Sequence, residues 1–383
     1  MIEGQKIVQV TLPDLFVGFL ARKPVLHPDY EDVRVASESW LSELCNFHAS
    51  LRETIHKIDI TYYCAILLPR VDADRFRIVC DWMNWVFPFD DALDNGPLKE
   101  KPKDVRELVN CLIGILDTNT IHGHQDKLLV AFESIWIRVF QDSSLGIQRR
   151  FASAMRDYCE AVYQQVVLQK GSRQKQLGVK STLEIRRQSI ATMPLFALVE
   201  YAHALRIPDD VFECKSIKEI QRVGTDLVLL QNELISYQKE KALGESHNII
   251  SIYQQEGHTV QEAFNEVERL LSKCYRDWYL ALAQLPSWGE EIDSQVQLYI
   301  EGVQNAALAN IHWSFRVDRY WGNNQDVRKT RIISLPEDMA TPKRRKINIK
   351  ISHGGALFSA FIMLVAFASI LAVPRVFVFA SGM

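Results

Sequence analysis

Three carboxylates stand close together at Asp90, Asp91 and Asp94, in the stretch Trp85-Val86-Phe87-Pro88-Phe89-Asp90-Asp91-Ala92-Leu93-Asp94-Asn95-Gly96. On a helix Asp90 and Asp94 share a face with Asp91 beside them, and acids so close repel one another unless a cation lies between them. Oxygen clusters of this kind suit Mg²⁺, a hard ion that keeps part of its water and shares itself with substrate phosphates. An acidic, solvated helix end is the plain alternative. A second set lies at Asn232, Ser236 and Glu240. Steps of four residues turn a helix by only about 40°, so an amide, a hydroxyl and a carboxylate line up on one face over roughly 12 Å. They would make a second Mg²⁺ site of modest charge, against the alternative of a polar surface stripe.

The elements that would carry these groups read as helices. Leading into the acidic stretch, Phe76, Ile78, Val79, Trp82, Trp85, Val86 and Phe89 recur at mixed helical spacings, so a largely interior helix spans about 72–94. Pro88 is placed to kink it, and Asn95-Gly96-Pro97 to end it. Before it, Asp29 or Asp32 caps a helix through Trp40, Leu41, Leu44, Cys45 and Phe47, and 53–69 forms another around Tyr62-Tyr63. After it, 105–116 and 127–140 have helical patterns, and 141–168 continues as a long amphipathic segment. Val260, Ala263, Phe264, Val267, Leu270, Leu271, Cys274 and Trp278 draw a clear helical stripe. Residues 1–30 read as an irregular lead, and no stretch joins strand alternation to a hairpin turn. The expected fold class is all-α, with one domain over 1–335.

Of 383 residues 48% are apolar, ample for a core, and the net charge of −3 gives no footprint for nucleic acid. Cys45, Cys64, Cys80, Cys111, Cys159, Cys214 and Cys274 are odd in number, scattered and without a C-x-x-C pair. That reads as reduced thiols in a cytosolic compartment. The first 13 residues hold no apolar core behind a basic segment, so no secretory signal is read there. His122 and His124 flank Gly123 in a loop and read as solvated.

Asp90-Asp91-x-x-Asp94 with Asn232-x-x-x-Ser236-x-x-x-Glu240 resembles the paired metal motifs of class I terpene cyclases, in the single-domain form of fungal sesquiterpene synthases. Arg186-Arg187-Gln188-Ser189-Ile190-Ala191 resembles the segment holding that family's pyrophosphate-sensing arginine, with Arg187 at about the family's interval before Asn232. Trp313-Ser314-Phe315-Arg316-Val317-Asp318-Arg319-Tyr320 resembles its closing Arg-Tyr pair, and Lys239 matches a basic residue common just before the final Glu. The resemblance covers about 10–335 and implies a helical bundle around a central active-site cavity. It implies a sesquiterpene synthase acting on farnesyl diphosphate with three Mg²⁺ per site, or Mn²⁺ in their place, as a monomer or homodimer. Asp90, Asp91 and Asp94 would hold or orient metal, Asn232, Ser236 and Glu240 would hold another ion, and Arg187, Lys239, Arg319 and Tyr320 would grip the diphosphate. The sequence departs from the family pattern at Glu233, where Asp is usual, and at Ala191, where Gly is common in the helix break.

The physics of the reaction fits these residues. Ionising an allylic diphosphate needs a preorganised cluster of positive charge on the leaving group. The carbocation left behind needs a dry wall, in which aromatic faces contribute about 0.5–2 kcal/mol each. Tyr63, Phe87, Phe196 and Trp313 are the candidates, each with ordinary core as its alternative. Alternatives for the whole chain are a prenyltransferase, a mono- or diterpene cyclase, or a catalytically inactive membrane-tethered isoprenoid-binding protein. Asp209-Asp210-Val211-Phe212-Glu213 also spells D-D-x-x-E, but it follows Ile207-Pro208 and reads as an acidic helix start.

The resemblance fades after Arg328-Lys329-Thr330-Arg331. A linker over 336–355 carries Lys343-Arg344-Arg345-Lys346, and 356–373 follow without a charge. As a helix those residues span about 27 Å, enough for a hydrocarbon core. The expectation is a C-terminal transmembrane helix that tail-anchors a cytoplasmic catalytic domain to an intracellular membrane, basic flank inside. A buried extra helix and a non-family tail are the alternatives.

Overall fold

Apolar stripes become helices through most of the chain in this structure, a computed structural model that describes residues 6–94, 96–118, 123–170, 177–243, 247–321 and 326–340. A short strand β1 (Ile7–Thr11) leads to α1 (Tyr30–Leu44), α2 (Ala49–Ile58), α3 (Ile60–Leu67) and α4 (Ala73–Asp94). Next come α5 (Pro102–Thr118), α6 (Lys127–Gln141), α7 (Leu145–Lys170), α8 (Val179–Ser189), α9 (Thr192–Ala202) and α10 (Asp209–Glu213). The long α11 (Lys215–Ala242), then α12 (Ile249–Gln255), α13 (Val260–Ala283) and α14 (Glu290–Ser314) complete the bundle. The short α15 (Asp318–Trp321) and α16 (Val327–Thr330), strand β2 (Ile332–Pro336) and α17 (Glu337–Ala340) close it.

The interior helix expected at 72–94 is α4, and it runs through Pro88 as one element. Phe76, Trp82, Trp85 and Phe89 on it are almost wholly buried. Trp85 donates its indole N–H to the Leu128 carbonyl at 2.8 Å and stacks on Phe89 with centroids 4.8 Å apart. Asp81, buried on the same helix, is held between Arg77 at 2.7 Å and Arg138 at 2.8 Å, as an uncompensated interior carboxylate could not be. The 260–278 stripe is α13, opened by a capping box between Thr259 and Glu262. The amphipathic segment from 141 does not continue the helix before it. Asp142, Ser143 and Ser144 break the chain between α6 and α7, and Gln148 donates to the freed carbonyls of Phe140 and Ser143 at 2.9 and 3.1 Å.

Two glycines set the spacing of the helices around the centre. A Cβ at Gly224 of α11 would fall 2.3 Å from Val303 Cγ1 of α14, and one at Gly302 of α14 would fall 2.2 Å from Val199 Cγ1 of α9. No other residue allows these crossings without displacement.

The fold is all-α as expected, and only the irregular lead needs a correction. β1 pairs antiparallel with β2, Val10 opposite Ile333 and Val8 opposite Leu335. Val10, Ile333 and Leu335 face the core while Thr11, Ile332 and Ser334 stay exposed. The strands lie at opposite ends of the domain, so no turn joins them and no hairpin signal exists. The chain beyond 335 is still fastened: the Met339 carbonyl accepts from Tyr237 Oη and Gln254 Nε2, each at 2.8 Å. Contacts group Met1–Lys343 as one unit. Among the described residues no helix is long and apolar enough to cross a membrane. The 356–373 segment and His122 lie outside the described residues, while His124 is half-buried.

His312, in the last turn of α14, is buried with Nε2 unpartnered and its ring edge-on to Phe16 at 5.3 Å. Burial, with Arg328 nearby, pushes its pKa down to about 4. The unfolded chain takes up that proton near pH 6.5, so stability from this site is complete above pH 6.5 and is lost as pH falls towards 4. Thermal melts from pH 7.5 to 4 should show this decline, and His312→Gln should make it shallower, the share of the other buried histidines remaining.

Candidate active site

Both oxygen sets line one central cavity. The carboxyl end of α4 supplies Asp90 and Asp91, and α11 supplies Asn232, Ser236, Lys239 and Glu240. Asp90 accepts a hydrogen bond from the Tyr158 hydroxyl of α7, and Asp91 accepts from Arg319 of α15 at 3.3 Å. Asp94 is the last residue of α4, and its side chain is outside the described residues. On α11, Ser236 is buried and donates to the Asn232 carbonyl at 2.7 Å, and Glu240 accepts from Asn248 at 2.9 Å.

The two neighbouring arginines of α8 divide their roles. Arg186 lines the cavity; its Nε donates to Glu233 Oε1 at 2.8 Å and its Nη2 reaches Asn232 Oδ1 at 3.3 Å. Arg187, the residue expected to grip diphosphate, forms a bidentate pair with Asp226 at 2.6 and 3.1 Å and is not among the cavity's lining residues. One helical step rotates a side chain by about 100°. Arg186, Ser189 and Ile190 share the face towards the cavity, and Arg187 turns away from it. Glu233, next to Asn232 on α11, is fully buried and also accepts the Ile249 backbone N–H at 2.6 Å. Burial pushes its pKa up, and Arg186 and that N–H pull against the rise.

The Arg-Tyr pair stands at the same cavity. Arg319 lies over the Phe87 ring at 5.3 Å, and although burial works against its charge, Tyr320 and Asp91 hold the guanidinium protonated. Tyr320 meets Trp313 edge-on at 5.9 Å, and burial raises its phenol pKa. Trp313 is also edge-on to Phe87 at 5.5 Å and to Tyr63 at 6.3 Å. The polar tips of these rings are spent on the scaffold. Trp313 donates to the Ile58 carbonyl at 2.7 Å and Tyr63 to the Ala306 carbonyl at 2.9 Å, which leaves their faces for the cavity. Phe196 does not join them. It is fully buried against Gly224 and does not line the cavity. Trp82, Asn310 and His247 do line it, and sequence reasoning did not select them. Burial, with Arg186 nearby, pushes His247 down to about 4, so its ring is neutral.

The second aspartate-rich stretch is elsewhere. Asp209 starts α10 on the outside, paired with Arg149 and Arg150, and Arg150 also holds the buried Glu200. Among the described residues, no three carboxylate, imidazole or thiol groups gather closely enough to hold an ion alone. The cavity's donors are hard oxygens in two sets, joined by cations at Arg186, Lys239 and Arg319. This donor chemistry fits Mg²⁺ ions that share their coordination with a phosphorylated substrate.

A family model described as terpene synthase family 2, C-terminal metal binding, matches residues 81–277, which include the acidic end of α4 and all of α11. The silphinene synthase peniA of Penicillium patulum is 38% identical over 338 residues, spanning 85% of this chain and 90% of that protein. The chain belongs to the terpene synthase family. Terpene cyclase 4 of Gibberella fujikuroi is 34% identical over the same share of each chain, 85% and 90%. A crystal structure of a-eudesmol synthase, 19% identical, superposes with a TM-score of 0.70 over 77% of this chain and 97% of that one, so the terpene synthase fold is shared. The protein is therefore a terpene cyclase of the metal-binding kind.

In this terpene synthase the break between α8 and α9 falls at Ala191, whose backbone is left-handed at φ 58°, ψ 17°. A Cβ costs about 1 kcal/mol in that region, and glycine does not carry the cost. Ala191→Gly should raise stability by up to about 1 kcal/mol in urea unfolding. Because Ala191 lines the cavity, the same variant should also shift the product distribution seen by gas chromatography.

Proposed function

We propose that this terpene cyclase is a sesquiterpene synthase acting on farnesyl diphosphate. The observation that supports the reading is one cavity whose lining joins hard oxygens and cations to aromatic and aliphatic side chains. Asp90, Asp91, Asn232, Ser236, Glu240, Arg186, Lys239 and Arg319 stand with Ile60, Trp82, Val86, Phe87, Leu195 and Trp313 around one space. In this reading the allylic C–O bond breaks heterolytically and its electron pair leaves with diphosphate. The C15 cation cyclises, and loss of a proton or capture of water ends the reaction. Arg186, Lys239, Arg319 and the Tyr320 hydroxyl bind and orient the diphosphate by charge-assisted hydrogen bonds. Phe87, Trp313 and Tyr63 exclude water and present ring faces to the cation. Three Mg²⁺, or Mn²⁺ in their place, would be held by Asp90, Asp91 and Asp94 and by Asn232, Ser236 and Glu240, and would supply positive charge to the leaving group.

Purified protein given C10, C15 and C20 prenyl diphosphates should turn over farnesyl diphosphate to cyclic C15 products, and only with Mg²⁺ or Mn²⁺ present. Product formation undiminished by a chelator would overturn the metal-dependent reading. Main products from the C10 or C20 substrate would make this a mono- or diterpene cyclase, and linear chain extension a prenyltransferase. Asp90→Asn and Glu240→Gln should each lower turnover by roughly two orders of magnitude or more, and Arg186→Ala should do more harm than Arg187→Ala. Asp209→Asn, outside the cavity, should stay within a few-fold of the parent.

We propose too that 356–373 anchor the catalytic domain to an intracellular membrane, the body remaining cytoplasmic. The support is an 18-residue uncharged run behind Lys343-Arg344-Arg345-Lys346. A chain ending at Ala340 keeps the Met339 carbonyl fastened to Tyr237 and Gln254, and it should be soluble with an unchanged product profile. The full chain should sediment with membranes and resist high-salt extraction. Full chain that stays soluble without detergent would rule the anchor out.

A further inference from the structure

Asn248 caps the start of α12 and is only 2% exposed. Its Oδ1 accepts the Ile250 backbone N–H at 2.9 Å, which is all that a helix cap requires, and serine or aspartate could do as much. Its Nδ2 carries two further protons, and both are used. One goes to the Glu233 carbonyl at 2.8 Å and the other to Glu240 Oε2 at 2.9 Å. The amide nitrogen thus exceeds what capping needs and is spent on α11, at the carboxylate assigned to metal.

Glu240 needs such a partner. It sits in the last turns of α11, where the helix carbonyls repel a carboxylate, and its side chain is long and free to rotate. An arginine or lysine could hold it, but a cation there would compete with Mg²⁺ for the same charge. A neutral amide fixes one oxygen and leaves the full negative charge to the cavity. Among the described residues Oε1 accepts no hydrogen bond, so that oxygen remains for an ion. The next residue extends the connection: the Ile249 N–H donates to Glu233, and Glu233 holds Arg186.

We propose that Asn248 is a positioning residue that orients Glu240 for divalent-metal binding, tying the start of α12 to the metal face of α11. The proposal rests on Glu240 being a metal ligand, as read above. The test uses Asn248→Ser, which keeps a capping oxygen but cannot reach Glu240, and Asn248→Asp, which keeps the cap and replaces the donor with an acceptor. Glu240→Gln serves as reference. The readout is the thermal midpoint of the full chain against Mg²⁺ concentration at fixed inorganic diphosphate, with no substrate present.

Asn248→Ser should have a metal-free midpoint near that of the parent and need about ten-fold more Mg²⁺ for half its thermal shift, with Asn248→Asp needing more still. The Mg²⁺ dependence of diphosphate release from farnesyl diphosphate should move in parallel. If Glu240→Gln raises the Mg²⁺ requirement and Asn248→Ser does not, the positioning role is wrong and the metal site stands. If Glu240→Gln leaves the requirement unchanged, the ligand assignment itself fails and the proposal with it. A metal-free midpoint that collapses in both Asn248 variants would mean that the amide serves the fold alone, which also overturns the proposal.

Discussion

A buried ion pair between Arg186 and Glu233 is the interaction on which the rest of the site depends. Glu233 has no exposed surface, and Arg186 reaches it at 2.8 Å from another helix. Removing one partner of such a pair costs about 3–5 kcal/mol, because the other is left charged in the interior. The pair therefore locks the end of α8 to the middle of α11. The Ile249 N–H joins the start of α12 to the same carboxylate. Three elements that carry Arg186, the Asn232-Ser236-Glu240 face and Asn248 are thus fixed to one another by a single buried carboxylate. The face of Arg186 not spent on Glu233 remains at the cavity beside Asn232.

The aromatic lining of the cavity answers a different requirement, which is to bring ring faces close while satisfying their polar atoms elsewhere. Trp313 and Tyr63 meet edge-on, and each sends its donor to a backbone carbonyl of the scaffold. Arg319 is drawn in from α15 and lies between Asp91 and the Phe87 ring. It therefore belongs to both parts of the cavity at once, countering the acidic end of α4 and closing over the aromatic wall. The glycine crossings at Gly224 and Gly302 allow α9, α11 and α14 to approach closely enough to enclose that wall.

What the sequence could reveal follows from how far each signal reaches along the chain. The Asp90 and Asn232 motifs, the interior helix α4 and the stripe of α13 are short-range patterns of period 3.6, and they were legible. The pairing of β1 with β2 joins the two ends of the domain, and nothing local marks it. Arg186 and Arg187 are adjacent and identical in type. Only the direction of the buried face of α8 decides between them, and that direction is set by packing against α7, α11 and α12. Phe196 illustrates the same limit, since an aromatic at helical spacing looks alike whether it faces a cavity or a neighbouring glycine. Tyr158 and Asn248 come from other helices to touch Asp90 and Glu240, and no motif spacing encodes such contacts.

Glu233 shows how a departure from a family pattern can be accommodated in the interior. The pattern has aspartate here, and a shorter carboxylate beside Asn232 would end about one methylene nearer α11. With glutamate the two oxygens separate their tasks: Oε1 takes Arg186 from α8 while Oε2 takes the Ile249 N–H at the start of α12. Neither oxygen is left without a donor in the interior, which burial would penalise heavily. The additional length is thus taken up between two elements that need joining in any case. Asn232, one residue before it and about 100° around α11, lines the cavity with its Oδ1 3.3 Å from Arg186 Nη2.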